Sequence, residues 1–92
     1  MPYIKKEDRV ELDELIEEII KKVDTTIITN TEGQLNYLIS SILNKIYEPS
    51  YFNYNRAIGL LECIKQEFYR RPVARYEDKK LVENGDVWTY EF

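Results

Sequence analysis

The side chains best suited to chemistry fall in the second half of the chain: Asn55, Arg56, Lys65, Tyr69, Arg70, Arg71 and Tyr76. Arginine presents a planar fork of donors that matches phosphate oxygens, lysine adds a point charge, and tyrosine offers a ring face on which a base can stack. In this arrangement Arg56, Lys65, Arg70 and Arg71 would hold phosphates, Tyr69 and Tyr76 would stack, and Asn55 would orient the ligand. On a helical wheel Asn55, Gly59, Glu62, Gln66, Tyr69 and Arg70 point away from the apolar stripe of their segment. Gly59, which costs about 1 kcal/mol inside a helix, lets a ligand or another backbone approach that face. The simpler reading is a mixed-charge surface helix, with Lys65 pairing to Glu62 at helical spacing. A further reading makes the Gly59 face a self-association seam, anchored by Tyr69 and the C-terminal aromatics.

Catalytic machinery is sparse. The chain has no histidine, so it has neither an imidazole base nor a Ser-His-Asp triad, nor a zinc site with a His ligand. Gly33, Gly59 and Gly85 are too far apart to form a phosphate-binding loop. Glu14 and Glu17 stand at the E-x-x-E spacing that all-α nucleotide pyrophosphatases use for Mg²⁺. The only later E-x-x-D, Glu83–Asp86, straddles the Asn84-Gly85 turn signal. Asp13, Glu14, Glu17 and Glu18 read more simply as the solvated side of an amphipathic helix. The expectation is a binding protein with no catalytic residue, no metal site and no cofactor.

With 92 residues and a net charge of −4, the sequence describes one domain, residues 1–92, and a poor ligand for duplex nucleic acid. Positive charge is locally in excess over residues 56–71, enough to receive a small anion. A domain this short leaves roughly a third or more of its unfolded surface exposed, so self-association into a homo-oligomer is expected. Eight tyrosines, together with Trp88 and three phenylalanines, suit half-exposed interface positions. Cys63, the single cysteine, forms no internal disulfide and reads as a small packing residue in a reducing compartment. No leader precedes Lys5-Lys6-Glu7-Asp8 and no apolar run approaches a membrane span, which points to the cytoplasm.

The elements that must position these residues are helices. Leu12, Leu15, Ile16, Ile19, Ile20 and Val23 recur at three- and four-residue steps and predict a helix over about residues 8–24. The β-branched run over 24–31 predicts a connection, and Thr31 is the expected N-cap of a second helix that stops before Pro49. A third helix, capped by Ser50, carries the stripe Ala57, Leu60, Leu61, Ile64 and Phe68 to about Arg71, where Pro72 should end or kink it. A short segment over 73–82 follows, then the stop at Asn84-Gly85. Alternation of Trp88, Tyr90 and Phe92 with Val87, Thr89 and Glu91 predicts a short strand or an extended C-terminal arm packing on a neighbour. The fold class expected is all-α: a small antiparallel bundle of three to four helices with that arm.

The opening Met1-Pro2-Tyr3-Ile4, the block from Tyr54-Asn55-Arg56-Ala57-Ile58-Gly59 through Glu67-Phe68-Tyr69-Arg70-Arg71, and the later Tyr76-Glu77-Asp78-Lys79-Lys80 and Glu83-Asn84-Gly85-Asp86-Val87 resemble a small uncharacterised family found in phages and prokaryotes. The chain departs from that pattern near Pro72, the family's proline falling near Arg75. The resemblance implies no specific activity. It does suggest a phage-type accessory protein, similar in kind to anti-defence proteins that sequester cyclic nucleotide or cyclic ADP-ribose-type messengers in Arg- and aromatic-lined pockets of a homo-oligomer. A protein-interaction or inhibitor module using the Tyr-rich surface and C-terminal arm is the alternative.

Overall fold

The computed structural model describes residues 3–88. Among these the chain is all-α, as the apolar periodicity requires, and four α-helices follow a short 3₁₀ turn at Lys6–Asp8. They are α1 (Val10–Lys22), α2 (Ile28–Ile46), α3 (Tyr51–Phe68) and α4 (Ala74–Asn84), with a π-helical segment, Tyr69–Val73, joining α3 to α4. Contacts divide the chain into two units, residues 1–57 and 58–92, with the boundary inside α3.

In the first unit, α1 carries Glu11 and Asp13 in its first turn and Lys21 and Lys22 in its last, an order that complements the helix dipole. It ends at Val23, which is extended and donates its N–H to Ile19 O at 3.0 Å. The expected connection over 24–31 is shorter than its β-branched composition predicted, because α2 begins at Ile28. Thr31 is therefore not the N-cap. It lies within the first turn of α2, where its hydroxyl donates to Asp24 O and to Ile27 O. Asp24 does the organising instead. Its carboxylate accepts from the Thr26 N–H at 2.9 Å and the Thr26 hydroxyl at 2.6 Å, and its own N–H donates to Gln34 Oε1 at 2.7 Å. Hydrogen bonding through both the backbone and the carboxylate of Asp24 has overridden a weak local preference.

The helix α2 stops at Ile46, ahead of Pro49, as the proline requires. Ser50 then caps α3, its Oγ accepting the Asn53 N–H at 2.9 Å, while the Asn53 amide reaches back to Glu48 O at 3.0 Å. Ser50→Ala should cost about 1 kcal/mol, which thermal unfolding would read as a midpoint roughly 4–8 °C lower. An unchanged midpoint would mean that water replaces the cap at no loss.

In the second unit α-helical geometry ends at Phe68, close to the expected break, and Pro72 lies inside the π segment that follows. The proline's missing N–H is absorbed by the π segment, in which the Ala74 N–H bonds Tyr69 O one residue further back than an α-helix would. The helix continues as α4 through Asn84, two residues beyond the expected end. Gly85 stops it, at φ +84°, in the left-handed region, and donates to Leu81 O at 2.9 Å. Of the expected C-terminal arm, Val87 and Trp88 are exposed and not in a strand, and residues 89–92 lie outside the described residues.

The apolar stripes are present on the helices, but they do not form a core. Among the described residues only Ala57 is buried, at 9% exposure. Its stripe-mates Leu60, Leu61, Ile64 and Phe68 are all exposed, as are Leu12, Leu15, Ile16 and Ile20 on α1. Cys63 is exposed as well, so its expected role as a packing residue does not hold. On α1 and α3 exposure does not single out the expected stripes: Ile19 is the one α1 residue that is not exposed, and on α3 the less exposed residues are Asn53, Ala57 and Glu67.

Candidate interaction surface

The seven residues suited to a nucleotide-like ligand divide between the units. Asn55 and Arg56 lie in the first, both exposed on α3, and the Arg56 guanidinium sits 5.6 Å from the centre of the Phe52 ring. Lys65, Tyr69, Arg70, Arg71 and Tyr76 lie in the second. Here Tyr69, Arg70 and Arg71 share the π segment, with Tyr69 and Tyr76 exposed at 56% and 61%.

Lys65 and Arg70 are engaged by carboxylates one turn earlier in the chain. Lys65 Nζ lies 3.3 Å from Glu62 Oε1, the pairing expected from the spacing, and Arg70 Nη2 lies 2.8 Å from Glu67 Oε1. Lys80 Nζ stands 5.6 Å from the centre of the Tyr76 ring and 3.1 Å from Glu83 Oε2, covering a ring face that base stacking would need. The Gln66 amide donates to Glu62 Oε1 at 3.1 Å, and that bond, followed by those to Lys65, holds the Glu62 carboxyl below its ordinary value. An incoming phosphate would have to displace carboxylates from Lys65 and Arg70. The Lys65–Glu62 pair is exposed and weak, whereas the Glu67 side chain is only 18% exposed in its pair with Arg70, so the surface is not preformed for an anion.

Apolar side chains dominate what is exposed. In the second unit Phe68, Val82, Val87 and Trp88 present between 65% and 81% of their surface. In the first, a groove of about 360 Å³ opens between the end of α1 and the start of α2, lined by Ile19, Lys22 and Val23 on one side and Gly33, Tyr37 and Leu38 on the other. Gln34 also lines it, held by the Asp24 N–H. A Cβ added at Gly33 would meet nothing within 4 Å. The sequence reading placed Ile19, Val23 and Leu38 on apolar stripes but missed the groove. Its one available signal was Gly33, a glycine inside a helical pattern one turn before Tyr37.

No group of three or more His, Cys, Asp or Glu side chains among the described residues is placed to hold a metal ion, and no described helix is long and apolar enough to cross a membrane. A family model described as a domain of unknown function (DUF6899) matches residues 1–87. No curated protein and no solved structure matches the chain.

Proposed function

The chain belongs to the DUF6899 family, and we propose that it is a non-enzymatic interaction protein, a homo-oligomer that captures a partner protein through exposed apolar side chains of its second unit. The observation that carries this reading is the exposure of Phe68, Val82 and Trp88 in a unit without a buried residue among those described. Large exposed apolar side chains in a folded chain mark association surfaces, and aromatic anchors dominate the energy of such surfaces.

Sequestration of a small nucleotide signal, in the manner of a phage anti-defence protein, is the second reading. It is favoured by one feature: Tyr69, Arg70 and Arg71 sit on the π segment, and π turns occur frequently at functional sites. The local ion pairing of Lys65 and Arg70 ranks it below the first reading.

One experiment separates them. The tagged full chain is expressed in a bacterial cytoplasm, recovered with whatever it retains, and weighed by native mass spectrometry with and without a panel of cyclic and ADP-ribose-type nucleotides. A retained protein that is lost on Phe68→Ser with Trp88→Ser, and kept on Arg70→Ala, supports partner capture. Intact nucleotide gained at fixed stoichiometry, and lost on Arg70→Ala with Arg71→Ala, would overturn it in favour of sequestration.

A further inference from the structure

We propose that the α1–α2 face of the first unit docks a second copy of this chain, with the two α1 helices antiparallel about a two-fold axis near Ile16. The inference rests on reading exposed apolar faces as association surfaces, but it does not involve the second unit. Leu12, Leu15, Ile16 and Ile20 on α1 and Leu35, Ile39 and Ile42 on α2 are each between 41% and 56% exposed. Half-exposed side chains of this size offer on the order of 80–90 Å² apiece, so these seven supply about 600 Å² per copy and roughly 1,200 Å² for a pair, the lower bound of a specific interface. The groove adds to that area and has room for one further apolar side chain per copy.

Charge bears on the direction of the pair. Helix α1 is acidic through Glu11, Asp13, Glu14, Glu17 and Glu18 and basic only at Lys21 and Lys22. On the helical wheel Glu11 and Lys22 flank the same edge of the apolar stripe, at opposite ends of the helix. An antiparallel partner with the same sequence brings Glu11 of each copy to Lys22 of the other, twice over because the interface is isologous. A parallel partner would bring opposite edges of the stripe together and set Glu11 beside Asp13 of the other copy. The same pairing carries Leu12 of the second copy toward the stretch Ile19–Val23, where the groove opens. Gly33 then has a role: in an isolated chain a side chain there would meet open space, whereas in the pair it would occupy the room the visiting leucine needs.

Sedimentation velocity on the full chain over a dilution series, with circular dichroism alongside, tests the pairing. The wild type is expected to sediment as a dimer. Gly33→Leu and Lys22→Glu should each weaken association about tenfold or more while helicity is retained, since leucine is the better helix former and Lys22 is exposed. Glu11→Lys combined with Lys22→Glu should return association to within about threefold of wild type. Both changes work against the helix dipole, so recovery cannot come from a more stable helix. A wild-type monomer, a wild-type assembly indifferent to Gly33→Leu and Lys22→Glu, or a charge swap that fails to restore would each overturn the pairing. Partner capture through Phe68 and Trp88, read separately, would be unaffected by any of these results.

Discussion

Pro72→Ala should make the second unit more stable and less able to bind. Proline has no N–H to give and its ring crowds the carbonyl four residues back, so an ordinary α-helix through this position would cost about 3 kcal/mol. The π segment Tyr69–Val73 is the relief of that conflict. Alanine removes the conflict, and the helix can close in α geometry from α3 into α4. Up to about 3 kcal/mol is regained, which for a chain of this size is a rise in unfolding midpoint of roughly 10 °C or more. Closing the π turn removes one residue's worth of rotation, about 100°, so Tyr76, Val82 and the residues beyond are re-aimed relative to Phe68 and Tyr69. Whichever molecule binds this unit should then bind poorly. Circular dichroism and binding measured on the same sample read both effects. A midpoint that stays level or falls would show that the π turn is not imposed by Pro72. A higher midpoint with binding intact would show that the turn does not position the surface.

Asp24→Ala should produce the largest loss of stability in the first unit. The carboxylate holds Thr26 through its N–H and hydroxyl and reaches the Asn30 amide at 3.4 Å, so one side chain sets both the exit from α1 and the entry to α2. Ile27, at the N-terminal boundary of α2, has no side-chain oxygen to cap it. Without the Asp24 carboxylate the Thr26 and Asn30 donors lose their partner, while the backbone bond to Gln34 remains, with an expected fall in midpoint of about 5–10 °C. Asp24→Asn should fall less, since the amide oxygen still accepts. The pH dependence has a defined sign. The Thr26 hydroxyl, then the Thr26 N–H and the Asn30 amide, hold the Asp24 carboxyl below its ordinary value of 3.8. A depressed carboxyl stabilises the fold above its unfolded value, and that contribution fades as pH drops below about 4 and is gone once the folded value is passed. Glu62, depressed by Gln66 and Lys65, acts in the same direction. Acid unfolding of Asp24→Asn should therefore be shallower than that of wild type; identical acid limbs would mean that Asp24 is not differentially held in the fold.

The elements were readable from the residues because each boundary has a local cause. Ser50 caps, Pro49 forbids the preceding residue a helix, Gly85 takes a left-handed φ, and the charges of α1 follow its dipole. The start of α2 was misread because its cause is not local: Asp24 bonds to residues as far away as Gln34, which no propensity of the run over 24–31 encodes. The break near Pro72 was legible, but its π geometry was not, since apolar periodicity does not distinguish that helix type. The ion pair Lys65–Glu62 followed from spacing, and so did the outward position of Gly59, around which a Cβ would meet nothing within 4 Å. Whether an apolar stripe faces a core or a partner is a different kind of question. Leu12 or Ile16 has the same periodicity in either case, and only the geometry of the folded chain shows that these side chains remain half exposed.

The central claim is that these faces are completed by association, and the unfolding midpoint measured across a wide range of protein concentration tests it most directly. Where folding and assembly are coupled, mass action stabilises the assembly, and the midpoint climbs as the protein is concentrated. That climb, with a single cooperative transition, is the result expected. A midpoint independent of concentration, in a chain that sediments as a monomer throughout, would contradict the account.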